Sequence, residues 1–174
     1  MDLQGKRIAI LAEDDYQELE LWYPLLRFKE AGAAVQVVGP GRSDVHRSKL
    51  GYPVKVDLPA DQARAEDFDA IVVPGGYAPD RMRTSEAMVG LVREADRQGK
   101  VVAAICHAGW VLISAGILRG RRATCVANIK DDLVNAGATY VDEEVVVDGN
   151  LITSRTPPDL PAFCRAIIDA LSRR

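Results

Sequence analysis

The chain has 174 residues, 48% of them apolar and 27% charged, with a formal net charge of −3. That length suits one domain with a sizeable core, and the acidic balance excludes a dedicated nucleic-acid binder, which would show a basic excess. No run approaches about 18 consecutive apolar residues, so no transmembrane helix is expected, and residues 1–15 lack the long apolar segment of a signal peptide.

Apolar runs alternate with helical patterns along the chain, the signature of a largely parallel sheet covered on both faces. Residues 7–12 (RIAILA) read as a first strand. A helix is expected over 17–31, with Pro24 kinking or offsetting its early turns and Gly32 as its stop. Residues 34–38 (AVQVV) read as a second strand. The stretch 43–67 is polar and irregular apart from a short strand signal at 54–56. Residues 69–73 (DAIVV) form a continuous apolar run, as expected of a buried central strand, and end in the loop signal Pro74-Gly75-Gly76.

Residues 85–99 look helical, with Ser85 as N-cap. Another buried strand follows at 101–105, then a helix over 107–115 stopped by Gly116. A short strand at 123–126 and a short helix at 130–136 come next. Residues 144–147 and 150–153 flank Asp148-Gly149, a favoured two-residue hairpin turn. A closing helix covers 158–172. With no repeat, low-complexity tract or linker, residues 1–174 read as one domain.

Three cysteines, Cys106, Cys125 and Cys164, are too few and too widely spaced for a disulfide framework or zinc cluster, and they suit a reducing cytoplasm. Cys106 directly follows a buried strand and precedes a helix that opens with small residues. That context sets a nucleophile on a sharp strand-to-helix turn, where the helix N-terminus favours a thiolate. Cys125 and Cys164 read as small buried hydrophobes. A nucleophilic cysteine needs a base, and the chain has two histidines, His46 and His107. His107 is the candidate, although neighbouring residues seldom point at each other. His46, in a polar stretch, reads as solvated.

Ligand sites of open α/β sheets form outside the carboxyl ends of the strands, where both Cys106 and the Gly75-Gly76 loop fall. The backbone N–H groups of Gly75, Gly76 and His107 are candidates for one oxyanion pocket. The acidic cluster Glu13, Asp14, Asp15, Glu18 and Glu20 follows the first strand. Its ordinary reading is a solvated face, and spacing alone does not choose between Glu18 and Glu20 as a partner of the cysteine. Asp80, after Gly-Gly, could orient a histidine or simply serve its turn. There is no G-x-G-x-x-G after the first strand and no Walker A motif, and two isolated histidines offer little to a metal. No histidine follows position 107, which excludes a cysteine amidase with a distant C-terminal histidine.

Three segments in order, 73–80 (VPGGYAPD), 104–109 (AICHAG) and 129–137 (IKDDLVNAG), resemble the DJ-1/PfpI superfamily, and most closely its PfpI-type branch of intracellular, C56-like proteases and deglycases. The resemblance covers nearly the whole chain. It implies a flavodoxin-like three-layer α/β sandwich with a mostly parallel central sheet and a small hairpin. It places the nucleophile on Cys106 and the following histidine on His107. The family's glutamate stands four residues before a proline, so Pro24 assigns it to Glu20, which, when protonated, would hydrogen-bond the sulfur. Gly75, Gly76 and His107 match the oxyanion pocket. Asp80 matches an acid supplied by a neighbouring subunit, which implies a homo-oligomer, dimer or hexamer. Ala108-Gly109-Trp110 stands where several members carry Gly-Pro-Gln, Val126 where some carry an aromatic, and Asp80 where some carry glutamate.

The activity so implied is that of a cofactor-independent, cytoplasmic, cysteine-dependent enzyme acting on reactive carbonyls of the glyoxalase III or deglycase type. Its substrates would be methylglyoxal, glyoxal or glycated protein, with neither metal nor membrane or nucleic-acid partner. Two alternatives remain open: a peptidase using the same Cys-His-Asp group, and a non-enzymatic oxidative-stress sensor or chaperone acting through oxidation of Cys106.

Overall fold

The computed structural model describes residues 3–173. Seven strands build the central sheet: β1 (Arg7–Leu11), β2 (Ala34–Gly39), β5 (Leu58–Pro59), β6 (Ala70–Val73), β7 (Val101–Ile105), β10 (Val146–Asp148) and β11 (Leu151–Ser154). Their order is β10-β11-β7-β6-β1-β2-β5. Every pairing is parallel except that of β10 with β11. β6 and β7 are buried at every position, as their uninterrupted Ala-Ile-Val composition demands of strands covered on both faces.

Helices α1 (Glu18–Glu30) and α6 (Leu160–Ser172) pack together on one face of the sheet. On the other lie α2 (Ala78–Met82), α3 (Glu86–Arg97), α4 (Gly109–Ala115) and α5 (Lys130–Asn135). Phe28 of α1, Phe163 of α6 and Met88 of α3 are fully buried. Each such side chain contributes about 1.5–3 kcal/mol through its removal from water. Ser85 caps α3 by accepting from the Met88 amide, and Gly32 and Gly116 take positive φ just past α1 and α4. This is the three-layer sandwich the sequence implies.

Local differences have plain causes. α1 runs as a single helix across Pro24, one turn and a half inside it. The irregular stretch holds a hairpin of β3 (Val45–Arg47) with β4 (Pro53–Lys55), in a sheet of its own. α2 stands where turn chemistry at Asp80 is the plain expectation, because Pro79 sits in the first turn of the helix, where no N–H is needed. The strand expected over 123–126 is only β8 (Arg122–Ala123), paired in parallel with β9 (Thr139–Tyr140). The β10–β11 turn lies one residue later than Asp148-Gly149. Asp148 pairs with Leu151, leaving Gly149 (φ 60°) and Asn150 as the loop, the glycine-first order of a type II′ turn.

β2 and β7 lie on opposite sides of the β1–β6 pair, so the direction of winding reverses there. A crevice opens at such a switch point, beyond the carboxyl ends of the strands. The loops that follow β1, β6 and β7 all meet in it.

Candidate active site

Cys106 comes directly after β7 and has φ 63°, a left-handed conformation for a residue with a side chain. Such a backbone costs on the order of 1–3 kcal/mol and persists only where its surroundings enforce it. A single 3₁₀ turn, 106–108, then leads into α4. Cys106 Sγ lies 3.4 Å from His107 Nδ1, so the two neighbours do meet, contrary to the expectation from sequence adjacency. The left-handed turn re-aims the thiol to make this contact possible.

Glu20 is completely buried at the start of α1. Gln17 caps that helix by accepting from the Glu20 amide at 3.0 Å. The Gly75 amide donates to Glu20 Oε2 at 2.7 Å. The carboxyl also contacts the Cys106 sulfur, and its Oε1 is buried with no conventional hydrogen-bond partner. Glu20, not the partly exposed Glu18, is therefore the acid at the thiol; the Glu18 carboxylate instead accepts from the Leu50 amide. The expectation that the acidic cluster is a solvated face fails for Glu13 and Glu20, both fully buried.

Gly75 does not serve an oxyanion pocket as expected, because its N–H is already committed to Glu20. A Cβ built there would meet Glu20 Oε2 at 2.5 Å and Cys106 Cβ at 2.7 Å, so this position must be glycine for close approach. The amides of His107 and Gly76 do face the reacting centre, and both act to lower the Cys106 thiol against its burial. Gly76, at φ 81°, lies against the backbone of residues 15–17, and Tyr16 bridges both Gly76 and Ser48. One residue thus ties together the loops after β1, β3 and β6.

Burial pushes Glu20 up to about 7, so its carboxyl is half protonated near neutrality. Burial, followed by the ionised Glu20 beside it, pushes the Cys106 thiol up to about 12. The thiolate is therefore disfavoured while Glu20 is charged. Once Glu20 takes a proton, the like charge is gone and its O–H can donate to the sulfur, which favours the thiolate. Burial, aided by the Lys49 ammonium, lowers His107, leaving a neutral imidazole as proton acceptor near pH 7.

Gln17, Glu20, Lys49, Gly76, Tyr77, Cys106, His107 and Pro157 line a pocket of about 160 Å³. Lys49, Tyr77 and Pro157 went unnoticed in the sequence, each belonging to a polar or turn-like stretch with no chemical motif. Trp110, at the departure from Gly-Pro-Gln, packs its ring 5.1 Å from that of His107. Its indole N–H donates to Asp132 Oδ2 at 2.8 Å. Asp80, by contrast, is exposed on α2 and makes no hydrogen bond to His107 within the chain. Cys125 and Cys164 are buried, and burial pushes both thiols up to about 12, in keeping with their reading as small hydrophobes.

His46 overturns the expectation of a solvated side chain. It is completely buried on β3, with Nδ1 3.3 Å from Glu13 Oε1 and 3.2 Å from Asp14 Oδ1. The strand alternation hides it, since Val45 and Arg47 on either side face solvent. Despite burial, which opposes it, His46 and Arg42 hold the Glu13 carboxyl down at about 2. The Glu13 carboxylate in turn raises His46.

The family model for the DJ-1/PfpI family matches residues 6–170. The chain is 46% identical over 165 residues to a protein of Pyrococcus horikoshii named Deglycase PH1704, covering 95% of this chain and 99% of that one. It is 40% identical to Protein/nucleic acid deglycase 2 of Escherichia coli, over 96% of this chain and 98% of that one. Its fold superposes with a TM-score of 0.94 on an Anabaena variabilis protein with DJ-1/ThiJ/PfpI-like and ferritin-like domains, at 45% identity over 96% of this chain and 50% of that one. On the family match and these relatives, with a fold of the same class, the chain belongs to the DJ-1/PfpI family.

Proposed function

We propose that the protein is a cofactor-independent enzyme in which Cys106 attacks small reactive carbonyls, methylglyoxal or glyoxal, free or as early adducts on protein amino groups and thiols. The observation that carries this reading is the left-handed turn at Cys106, which holds Sγ 3.4 Å from His107 Nδ1 beside the buried Glu20, in a pocket of about 160 Å³. That volume fits a three-carbon dicarbonyl far better than a polypeptide segment, so the peptidase alternative is limited to short or unfolded peptides. The deglycase names of the relatives at 46% and 40% identity support the same class of substrate.

In this mechanism the thiolate adds to the aldehyde carbon of methylglyoxal, forming a C–S bond while the carbonyl electron pair moves onto oxygen. The Gly76 and His107 amides hold the resulting alkoxide until a proton from Glu20 completes the hemithioacetal. His107 then removes the proton from that carbon and delivers it to the neighbouring carbonyl carbon through an enediol, while the hydroxyl proton passes from the first oxygen to the second. The first carbon is oxidised and the second reduced, giving a lactoyl thioester with no outside electron carrier. Water hydrolyses the thioester to lactate and restores the thiol. In a homo-oligomer, the partner's Asp80 would accept from His107 and hold the ring as a base.

Lactate formed from methylglyoxal, without added glutathione, tests the reading in the wild type, Cys106→Ser and His107→Ala. Turnover in the wild type, abolished by Cys106→Ser and lowered about 10²–10⁴-fold by His107→Ala, is expected. Equal turnover in wild type and Cys106→Ser would end it. Absence of turnover in all three would move the assignment to short-peptide hydrolysis or to oxidation of Cys106.

A further inference from the structure

A second cluster of chemically capable groups lies outside the lining of the Cys106 pocket. Glu13, Asp14 and His46 each offer one ligand atom, and the three atoms lie within 4.8 Å of one another. Glu13 and Asp14 follow β1 on the loop that leads to Glu20. His46 lies on β3, three residues before Lys49. Neither Nδ1 contact has the geometry of a ring N–H hydrogen bond, so Nδ1 of the fully buried imidazole meets the two carboxylates only as an ion pair, and Nε2 has no hydrogen-bond partner. A buried polar group without a partner is costly and calls for an explanation.

The geometry points to a divalent transition-metal site, of which zinc is the type, formed by His46 Nδ1, a Glu13 carboxylate oxygen and an Asp14 carboxylate oxygen, with a fourth position open to water. Imidazole and carboxylate are the donors such ions take. Ligand atoms bound tetrahedrally at about 2.0–2.1 Å stand about 3.3 Å apart. The separations from Nδ1 to the two carboxylate oxygens are 3.3 and 3.2 Å.

Both carboxylates are already held in place by backbone amides. The Asp14 amide donates to Glu13 Oε1 at 2.7 Å and the Arg47 amide to Asp14 Oδ1 at 2.9 Å. Outer contacts of this sort fix the ligands of a metal before it binds. Entry is open as well, since the Asp14 side chain is 43% exposed while Glu13 and His46 are sealed. The Arg42 guanidinium, bonded to Glu13 Oε2 from the solvent side, offsets part of the carboxylate charge in the metal-free protein, and His46, when protonated, offsets the rest. It is itself 57% exposed and free to swing away. A bound ion would clamp the loop that carries Glu20 to the hairpin that carries Lys49.

Titration of the chelator-treated protein with Zn²⁺ by calorimetry, and with Co²⁺ by absorption, tests the site. One equivalent should bind, and the Co²⁺ complex should show tetrahedral ligand-field bands without a thiolate-to-cobalt charge-transfer band. His46→Gln and Asp14→Asn should each weaken binding by at least about tenfold. Asp14→Asn is the safer variant to fold, because that side chain is half in solvent. Arg42→Ala should tighten binding, since it removes a competing cation; an arginine with only a structural role would not have that effect. Binding should survive Cys106→Ser. The proposal is overturned by any of four results: no saturable binding to the wild type, affinity unchanged in both ligand variants, weaker binding in Arg42→Ala, or a thiolate band lost with Cys106→Ser.

Discussion

The Gly75 amide and the Glu20 carboxylate are joined at 2.7 Å in a space with no room for a methyl group. A Cβ on Gly75 would lie 2.5 Å from Glu20 Oε2 and 2.9 Å from the Ile105 carbonyl oxygen. The second of these is backbone and cannot rotate away. Gly75→Ala should therefore cost about 1–3 kcal/mol by overpacking and slow alkylation of Cys106 by displacing its acid. Thermal unfolding and the rate of reaction with iodoacetamide are the two readouts. An unchanged melting temperature would mean that the loop relaxes freely and that the close approach is incidental.

Glu20 should give stability a marked pH dependence. Its carboxyl titrates near 4.5 in the unfolded chain and about 7 in the folded one. The folded state thus holds the proton more tightly, and the contribution is fully present below about pH 4.5. It is lost as pH rises through about 7, on the order of 3 kcal/mol in all. Glu20→Gln keeps an oxygen to accept from Gly75 but carries no charge. Urea unfolding of the variant at pH 5 and pH 8 should show a flatter dependence than the wild type and greater relative stability at pH 8. Equal slopes for the two proteins would refute the assignment of this titration to Glu20.

Lys49 lowers His107, secondarily to burial, and also acts against protonation of Glu20. Lys49→Met should let the His107 pKa rise, though only modestly because the ammonium is exposed and screened by salt. The imidazole C–H resonances of His107, followed by NMR against pH, give the answer directly. A downward move would show that Lys49 acts by some route other than its charge.

Trp110 packs against the His107 imidazole. Its ring touches His107, while Asp132 holds the indole N–H and the Arg83 guanidinium lies 5.8 Å from the ring centre. Trp110→Ala should lower kcat for methylglyoxal by about tenfold or more through loss of orientation, with little change in KM. Asp132→Ala should shift kcat in the same direction by less. A purely structural tryptophan would alter stability and leave the kcat-to-KM pattern untouched.

Much of this arrangement was legible in the chain, for identifiable reasons. Uninterrupted apolar runs such as 70–73 and 101–105 can be little else than buried parallel strands, and Cys106 announced itself by following one of them directly. His46 escaped because its neighbours face solvent and a three-residue strand is too short to reveal its alternation. Gly75 was misread because only three-dimensional proximity shows that a carboxylate 55 residues earlier takes its N–H. Trp110 was visible as a departure from a familiar motif, but its contact with His107 depends on the helical turn that stacks them. Short elements whose partners are remote, such as β8 and α2, carry too little periodicity to be delimited from sequence.

The outermost strand next to β2 consists of Leu58 and Pro59 alone. Proline has no N–H to offer a further strand, and two residues make a poor template for one. The sheet is thereby protected on that side against edge-to-edge growth and the fibrous aggregation that follows it. Any assembly this protein forms must be built there through its helices and loops, where side chains rather than unpaired backbone choose the partner.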